Sequence, residues 1–287
     1  MSADLPLVTL GVPVRNGAGM LRAALDSIVA QDYPNIEIVV SDNASDDATP
    51  DILAEYAARH PNMRVIRQEK AITAFDNFLF VMGQARGEFF AWCAHDDTRS
   101  SDFVSKLLRA FDDPDTVLAF GDLYVWDGIG QPSLRADYQF ANEGLPLWRR
   151  LRKTAHMQCY HIYGLWRVSA LRAIDYRSTY WWPDMPIMLA AAASGAFRYV
   201  HGPRFNYFEV VKTDAERAAY QDYRRHVSSV HGLTALLIAT FSTLKQSGRS
   251  FSGILGVMFL IEKYARYFPF YVAKHFLRGK GTRAANG

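Results

Sequence analysis

The sequence predicts an α/β fold, a mostly parallel sheet flanked by helices and followed by a helical C-terminal extension. Three observations lead there. Over the first 125 residues, short apolar runs rich in β-branched residues alternate with segments whose apolar residues recur at helical spacing. Strands joined by helices of that length form βαβ units and pair in parallel. Polar residues close the apolar runs at Arg15-Asn16, Asp42-Asn43 and Asp96-Asp97, where an open parallel sheet binds its ligands. From Ala215 to Phe276 the pattern is helical, interrupted at Ser247-Gly248 and Pro269. A chain of 287 residues, 49% hydrophobic and 21% charged, is long and apolar enough to bury a large core.

Val8–Val14 reads as a buried strand ending in the turn Arg15-Asn16-Gly17. Ala18–Gln31 then places Leu21, Ala24, Leu25, Ile28 and Val29 on one helical face. Pro34-Asn35 breaks the chain before a second strand, Ile36–Val40. A helix from Asp47 to His60 opens on acids, as the helix dipole favours. Met63–Gln68 is a third strand, Ala74–Ala85 a helix, and Glu88–Ala94 a fourth strand running into His95-Asp96-Asp97. Ser101–Phe111 is helical and Val117–Trp126 a fifth strand. The middle is less regular, with a basic amphipathic turn or helix expected at Leu145–Lys153 and a helix at Asp184–Ala193, after Trp181-Trp182-Pro183.

Composition narrows the function. Cys93 and Cys159 alone make no disulfide framework, which fits a reducing, cytoplasmic setting. Met1–Pro6 lacks the pattern of a secretory signal, and the apolar run Ile254–Ile261 is far short of a membrane span. From Lys245 onward eight Lys and Arg face Glu262 alone, a net +7 within an overall +3, leaving the rest at −4. Because that basic region is also rich in Phe, Tyr, Leu and Ile, an anionic membrane surface suits it better than nucleic acid. Packing into the core or against a second copy in a homodimer are the competing uses of its helices.

The chemistry concentrates at the strand ends. Two adjacent carboxylates at Asp96 and Asp97 repel each other unless a cation lies between them and a ligand. Hard divalent ions such as Mn²⁺ or Mg²⁺ take one or two carboxylates together with substrate phosphates. The competing reading is a solvated turn in which Asp97 or Thr98 caps the next helix. Asp42, directly after a buried strand, is placed to accept from a ring N–H of a nucleobase; the competing reading is helix capping by Ser45 or Asp46, and Asp46 and Asp47 are assigned to the cap. His95 reads as a supporting residue, His156 and His161 as core or surface, and Lys70 as solvated. Trp181 and Trp182 divide evenly between core packing and stacking on a sugar.

Together, Val8–Asn16, Leu25–Gln31, Ile36–Asp46, Ala85–Trp92 and His95-Asp96-Asp97 resemble the family-two nucleotide-sugar glycosyltransferases, well over residues 5–125 and loosely over 155–205. The resemblance implies a GT-A, Rossmann-like fold, a nucleotide-diphosphate sugar donor, a divalent metal and inversion at the anomeric carbon. It implies a glycosyltransferase domain over 1–210, with a nucleotide-sugar half (1–127) and an acceptor half (128–210), before the helical region 211–287. On this pattern Asp42 reads the base, favouring UDP or dTDP, while Pro13, Val14, Arg15 and Asn16 line the nucleoside. Asp96 sits near the ribose or sugar and Asp97 ligates the metal. The general base falls at Asp184, although Pro183 stands where the family carries an acid. No Gln-x-x-Arg-Trp occurs, which favours single addition, and docking of the C-terminal region on a membrane would present a glycan or lipid-linked acceptor, as expected for cell-envelope glycan assembly. A sugar nucleotidyltransferase would carry a glycine-rich phosphate loop after the first strand, and Gly11–Gly17 is not one. An inactive, membrane-docked scaffold would have no need of Asp96-Asp97.

Overall fold

The computed structural model describes residues 5–126, 131–135, 137–176, 184–209, 237–238, 240–245 and 252–262. Its sheet begins with β1 (Val8–Val14), buried along its whole length and paired in parallel with β2 (Ile36–Asp42) on one side and β4 (Phe89–Trp92) on the other. β3 (Met63–Arg67) adds in parallel outside β2. Beyond β4 come β8 (Leu165–Arg167), β6 (Thr116–Trp126), β9 (Ala196–Phe208) and the two-residue β5 (Thr98–Arg99), giving the order β3-β2-β1-β4-β8-β6-β9-β5. β7 (Ser133–Arg135) pairs only with β6. Because β8 is antiparallel to both its neighbours, β6 and β9 run the same way as β4. All the long strands therefore present their carboxyl ends along one edge.

Alternation along the strands builds two cores. Val8, Leu10, Val12, Val14, Phe89, Ala91 and Cys93 face α1 (Leu21–Val29), α2 (Thr49–Arg59) and α4 (Phe103–Leu108). Phe90, Trp92, Leu118, Phe120, Trp166 and Phe197 face the other way. They meet α3 (Ala74–Gly83), α5 (Leu147–His156), α6 (Val168–Arg172) and α7 (Asp184–Ser194). Residues 185–192 of α7 are all buried, so this helix has no polar stripe to reveal its period.

The helical segments 240–245 and 252–262 belong to this second core, since Leu244 and Leu260 are fully buried in it. Small residues bring them close: a Cβ on Gly256 would lie 3.2 Å from Leu244 and 3.7 Å from Leu189 of α7. Arg152 of α5 clasps Glu262 with two bonds of 3.0 and 2.6 Å. Of the uses open to these helices, core packing is met by their inner face. Their outer face leaves Ile238, Ile254, Met258 and Ile261 exposed.

The elements expected up to residue 193 appear, with shifted ends, while most of the helical pattern expected over 215–276 lies outside the described residues. β4 stops two residues before Ala94: Cys93 still donates to Gly11 O (2.8 Å), and the chain then turns through His95-Asp96. β5 and β8 are too short to carry a readable alternation. The second half of β9 follows a bulge, where the register jumps from Phe120↔Tyr199 to Asp122↔Arg204. Asp122 fills it by accepting from the Tyr199 hydroxyl and from Gly202 N (3.1 Å). That detour delivers residues 204–208 to the carboxyl edge.

Candidate active site

The loops after β1 and β2 are stitched to each other. Asn16 N donates to Ser45 Oγ (2.9 Å) and Asn16 Oδ1 accepts from Asp46 N (3.0 Å). Gly17 N donates to Thr49 Oγ1 (2.9 Å), and Ala18 N to Asp47 Oδ2 (3.1 Å). Asn16 and Ala44 take left-handed conformations, φ 50° and 53°. For alanine this stores strain that the surrounding bonds must hold. Neither Asp46 nor Asp47 caps α2: the N-cap is Ala48, with no side-chain cap, while Asp47 accepts from Thr49 N (2.9 Å) and Asp46 reaches Asn16 only through its amide. Pro13 and Val14 lie buried as the floor of this edge, and Arg15 and Asn16 are exposed on it.

Asp42 is buried opposite Val14 in the register. Its Oδ1 accepts from Ser45 N (3.0 Å) and its Oδ2 from Arg67 Nη1 (2.6 Å), while Arg67 Nη2 donates to Ser45 O (2.7 Å). A carboxylate offers about four acceptor positions, so these contacts fix its orientation without filling it. Arg67 closes β3 beside Asp42, and Asn43 pins the following loop by exchanging two bonds with Ile72 (2.9 and 2.8 Å). Lys70, in that loop, is exposed.

Asp97 is 1% exposed. Its Oδ1 accepts from Phe208 N of β9 (3.0 Å), and its Oδ2 is buried with no hydrogen-bond partner. Burial raises its pKa to about 7, Asp96 adds to the rise, and the Phe208 amide and Arg99 oppose it. Neither Asp97 nor Thr98 caps the next helix: the residue preceding α4 is Asp102, and Thr98 Oγ1 accepts from Asn206 (3.0 Å). His95 closes over the β1 loop so tightly that a Cβ on Gly17 would lie 2.6 Å from its ring. Arg99 is buried below, donating to Trp92 O (2.6 Å) between the rings of Phe103 and Phe205.

Asp184 opens α7, half-buried, with its pKa raised to about 6 by burial. The link between it and the acid pair is Tyr163. Burial lifts the Tyr163 phenol well above 10, and Asp184, Asp97 and Asp96 each push it further, in that order. Tyr207 also feels Asp97 and Asp96, and its ring packs 4.8 Å from Tyr160. Asp184 and the acid pair thus both act on Tyr163. His161 lies buried between Phe120 and Phe140 with Nδ1 2.8 Å from Gln158 O, and burial lowers its pKa to about 4. It is a neutral core histidine. Trp181, Trp182 and Pro183 lie outside the described residues.

An unpartnered buried oxygen on Asp97, beside a second carboxylate, fits a cation. Among the described residues no group of three or more His, Cys, Asp or Glu gathers to hold one alone. Such an ion would complete its shell from phosphate oxygens and water, as Mg²⁺ and Mn²⁺ commonly do. Sequence reasoning overlooked Arg67, Tyr163, Tyr207 and Arg99. Only Arg67 left a signal, as the last residue of an expected strand at the same carboxyl edge.

The model of the family described as "Glycosyl transferase family 2" matches residues 9–172. An uncharacterized protein of Mycobacterium tuberculosis is 40% identical over 105 residues, covering 35% of this chain and 30% of its own. Glycosyltransferase GlyA of Streptococcus pneumoniae is 28% identical over 165 residues, 55% of this chain and 23% of its own. The matched region thus spans about a third or less of these relatives' length. Among solved structures, Staphylococcus aureus TarS 1-349 in complex with UDP-GlcNAc superposes with TM-score 0.59 at 15% identity, covering 91% of each chain. Mannosyltransferase PcManGT from Pyrobaculum calidifontis, in complex with GDP-Man and Mn²⁺, gives 0.55 at 17%, covering 98% of this chain and 81% of that one. These likenesses establish the GT-A fold. The family match spans more than half of the residues, including the β1 and β2 loops and Asp96-Asp97, and the chain belongs to glycosyl transferase family 2.

Proposed function

We propose that this chain transfers a sugar from a nucleoside-diphosphate donor to a hydroxyl of a glycan or lipid-linked acceptor, with inversion at the anomeric carbon. The observation that carries the reading is the buried, unpartnered Oδ2 of Asp97 with Asp96 beside it at the carboxyl edge. The UDP-GlcNAc and GDP-Man complexes of the similar structures support the donor class. Asp97 would hold Mn²⁺ or Mg²⁺, which supplies neutralisation of the charge growing on the departing diphosphate. Asp96 faces the ribose or sugar.

Asp184 takes the proton from the acceptor hydroxyl as its oxygen attacks the anomeric carbon. The bond from that carbon to the diphosphate breaks on the opposite side, and the nucleoside diphosphate leaves with the electron pair. A positioned base contributes about 10²–10⁴ in rate. Asp42, an acceptor held by Arg67, receives the ring imide N–H of uracil or thymine, whereas cytosine has no such donor. Arg15 and Asn16, above Pro13 and Val14, border the nucleoside.

The acceptor is an intermediate of cell-envelope polysaccharide synthesis presented at the cytoplasmic face of a membrane. No helix among the described residues is long and apolar enough to cross one. Peripheral contact is supported by exposed Ile254, Met258 and Ile261, which share one helix face, and by the basic C-terminal region. Substituting all three by glutamate is expected to abolish salt-sensitive sedimentation with anionic vesicles, and unchanged sedimentation would remove that contact. The transferase reading is tested by thermal stabilisation with a panel of nucleotide-sugars, each with Mn²⁺ and with EDTA. Stabilisation by no donor under either condition would overturn it.

A further inference from the structure

We infer that the Tyr163 hydroxyl donates a hydrogen bond to the transferred sugar of the donor and so helps to select it; this rests on the transferase reading above. The backbone puts Tyr163 at the middle of the carboxyl edge. β8 runs antiparallel to β4 and β6, pairing Leu165 with Ala119 and Trp166 with both Leu118 and Phe90. The 3₁₀ turn Cys159–Tyr163, which leads into β8, therefore reaches that edge between the ends of β4 and β6. Gly164 allows the close entry, since a Cβ there would lie 2.5 Å from Ala119 O. The turn touches both β4, which leads to the acid pair, and α7, which opens on Asp184.

Packing holds the ring and leaves the hydroxyl unused. Tyr163 is half-buried and packs against both apolar cores. Its ring centroid lies 5.4 Å from that of Phe205 on β9 and 6.5 Å from that of Phe78 on α3. Phe78 is held in turn, its carbonyl accepting from Trp92 Nε1 at the end of β4 (2.9 Å). Among the described residues nothing hydrogen-bonds the Tyr163 hydroxyl, and its oxygen is not one of the buried atoms left without a partner. A hydroxyl neither bonded nor sealed in is open to water or a ligand.

The surrounding acids select the occupant. Burial, then Asp184, Asp97 and Asp96, hold the phenol well above its ordinary range, so it stays protonated and can donate. Three carboxylates near enough to act on it disfavour an anion beside the hydroxyl and leave a neutral, hydroxyl-bearing group as its partner. On the transferase reading the diphosphate rests on the cation at Asp97 and the acceptor hydroxyl meets Asp184. The anomeric carbon is bonded to the first and attacked by the second. The group that lies between the two acids, and so against Tyr163, is the sugar in transfer.

The test is titration calorimetry on the full chain with Mn²⁺. The probes are UDP, dTDP and GDP, and the donors UDP-glucose, UDP-galactose, UDP-GlcNAc, dTDP-glucose and GDP-mannose. Tyr163→Phe keeps the ring and should bind the free nucleoside diphosphate as wild type does, which also reports intact folding. It should bind the preferred nucleotide-sugar about three- to tenfold more weakly, the size of one neutral hydrogen bond. Monodeoxy analogues of that donor locate the partner. One of them should lose the same factor on wild type and nothing further on Tyr163→Phe. The inference is overturned if Tyr163→Phe binds the nucleotide-sugar as tightly as wild type, if it loses the free nucleotide equally, or if no deoxy analogue shows that coupling. Failure of every nucleotide-sugar to bind wild type would instead strike the transferase reading itself.

Discussion

Replacing Arg67 with methionine removes the clamp on Asp42, and the geometry sets the size of the loss. Arg67 Nη1 lies 2.6 Å from a carboxylate that is 2% exposed, and Nη2 bonds Ser45 O at 2.7 Å. A hydrogen bond to a charged group contributes about 1.5–3 kcal/mol, and its loss leaves a buried acceptor short of a partner. The guanidinium is itself half in water, 51% exposed, so screening reduces the net effect to about 1–2 kcal/mol. Asp42 keeps the Ser45 amide, so the loop after β2 survives while the carboxylate loses its fixed direction. For a chain of this size the melting temperature should drop by about 2–8 °C. Calorimetry with and without UDP measures both consequences, since a misdirected Asp42 also weakens the nucleotide. A melting temperature within about 1 °C of wild type, with undiminished UDP affinity, would refute the reasoning.

Three further outcomes follow from buried groups. With Asp184 titrating near 6, kcat should climb with pH up to about 6 and level above it, because only the ionised carboxylate accepts a proton. Asp184→Asn should erase that limb and cut kcat about 10²-fold or more at unchanged donor affinity; a surviving limb would assign the base elsewhere. Asp97, raised from 3.8 to about 7, binds more protons folded than unfolded between those values. The cation-free chain should therefore lose stability as pH rises from 3.8 to about 7. Asp97→Asn should flatten that slope, and an unaltered slope in this variant would contradict the burial argument. Leu260→Ala should cost about 2–5 kcal/mol, as a fully buried leucine does, whereas a loss below about 1 kcal/mol would show that 252–262 packs loosely.

Much of the first 126 residues was legible because its signals are local. Short apolar runs rich in β-branched residues and helical faces marked β1 to β4 and their crossovers, and the carboxyl-end rule pointed to a candidate site at Arg15-Asn16, Asp42-Asn43 and Asp96-Asp97. The later strands resisted for a physical reason. β8 inserts only three residues between β4 and β6, β9 is bent by the bulge around Asp122, and β5 has two residues, so none displays a period. The partners that temper the raised Asp97, Phe208 and Arg99, act through a backbone amide and a buried cation that no spacing announces. Tyr163 meets Asp184, Asp97 and Asp96 only because the fold brings 163, 184 and 97 together. The Arg67 clamp was recoverable in principle, since parallel pairing places the end of β3 beside Asp42.

The central claim is that the unpartnered oxygen of Asp97 binds the cation that anchors the donor's diphosphate. Titration calorimetry of UDP against wild type and Asp97→Asn, each with Mn²⁺ and with EDTA, tests it most directly. Wild type should bind UDP at least about tenfold more tightly with Mn²⁺, and Asp97→Asn should bind equally weakly in both conditions while remaining folded. The same Mn²⁺ gain in both proteins, or wild-type binding indifferent to EDTA, would contradict it.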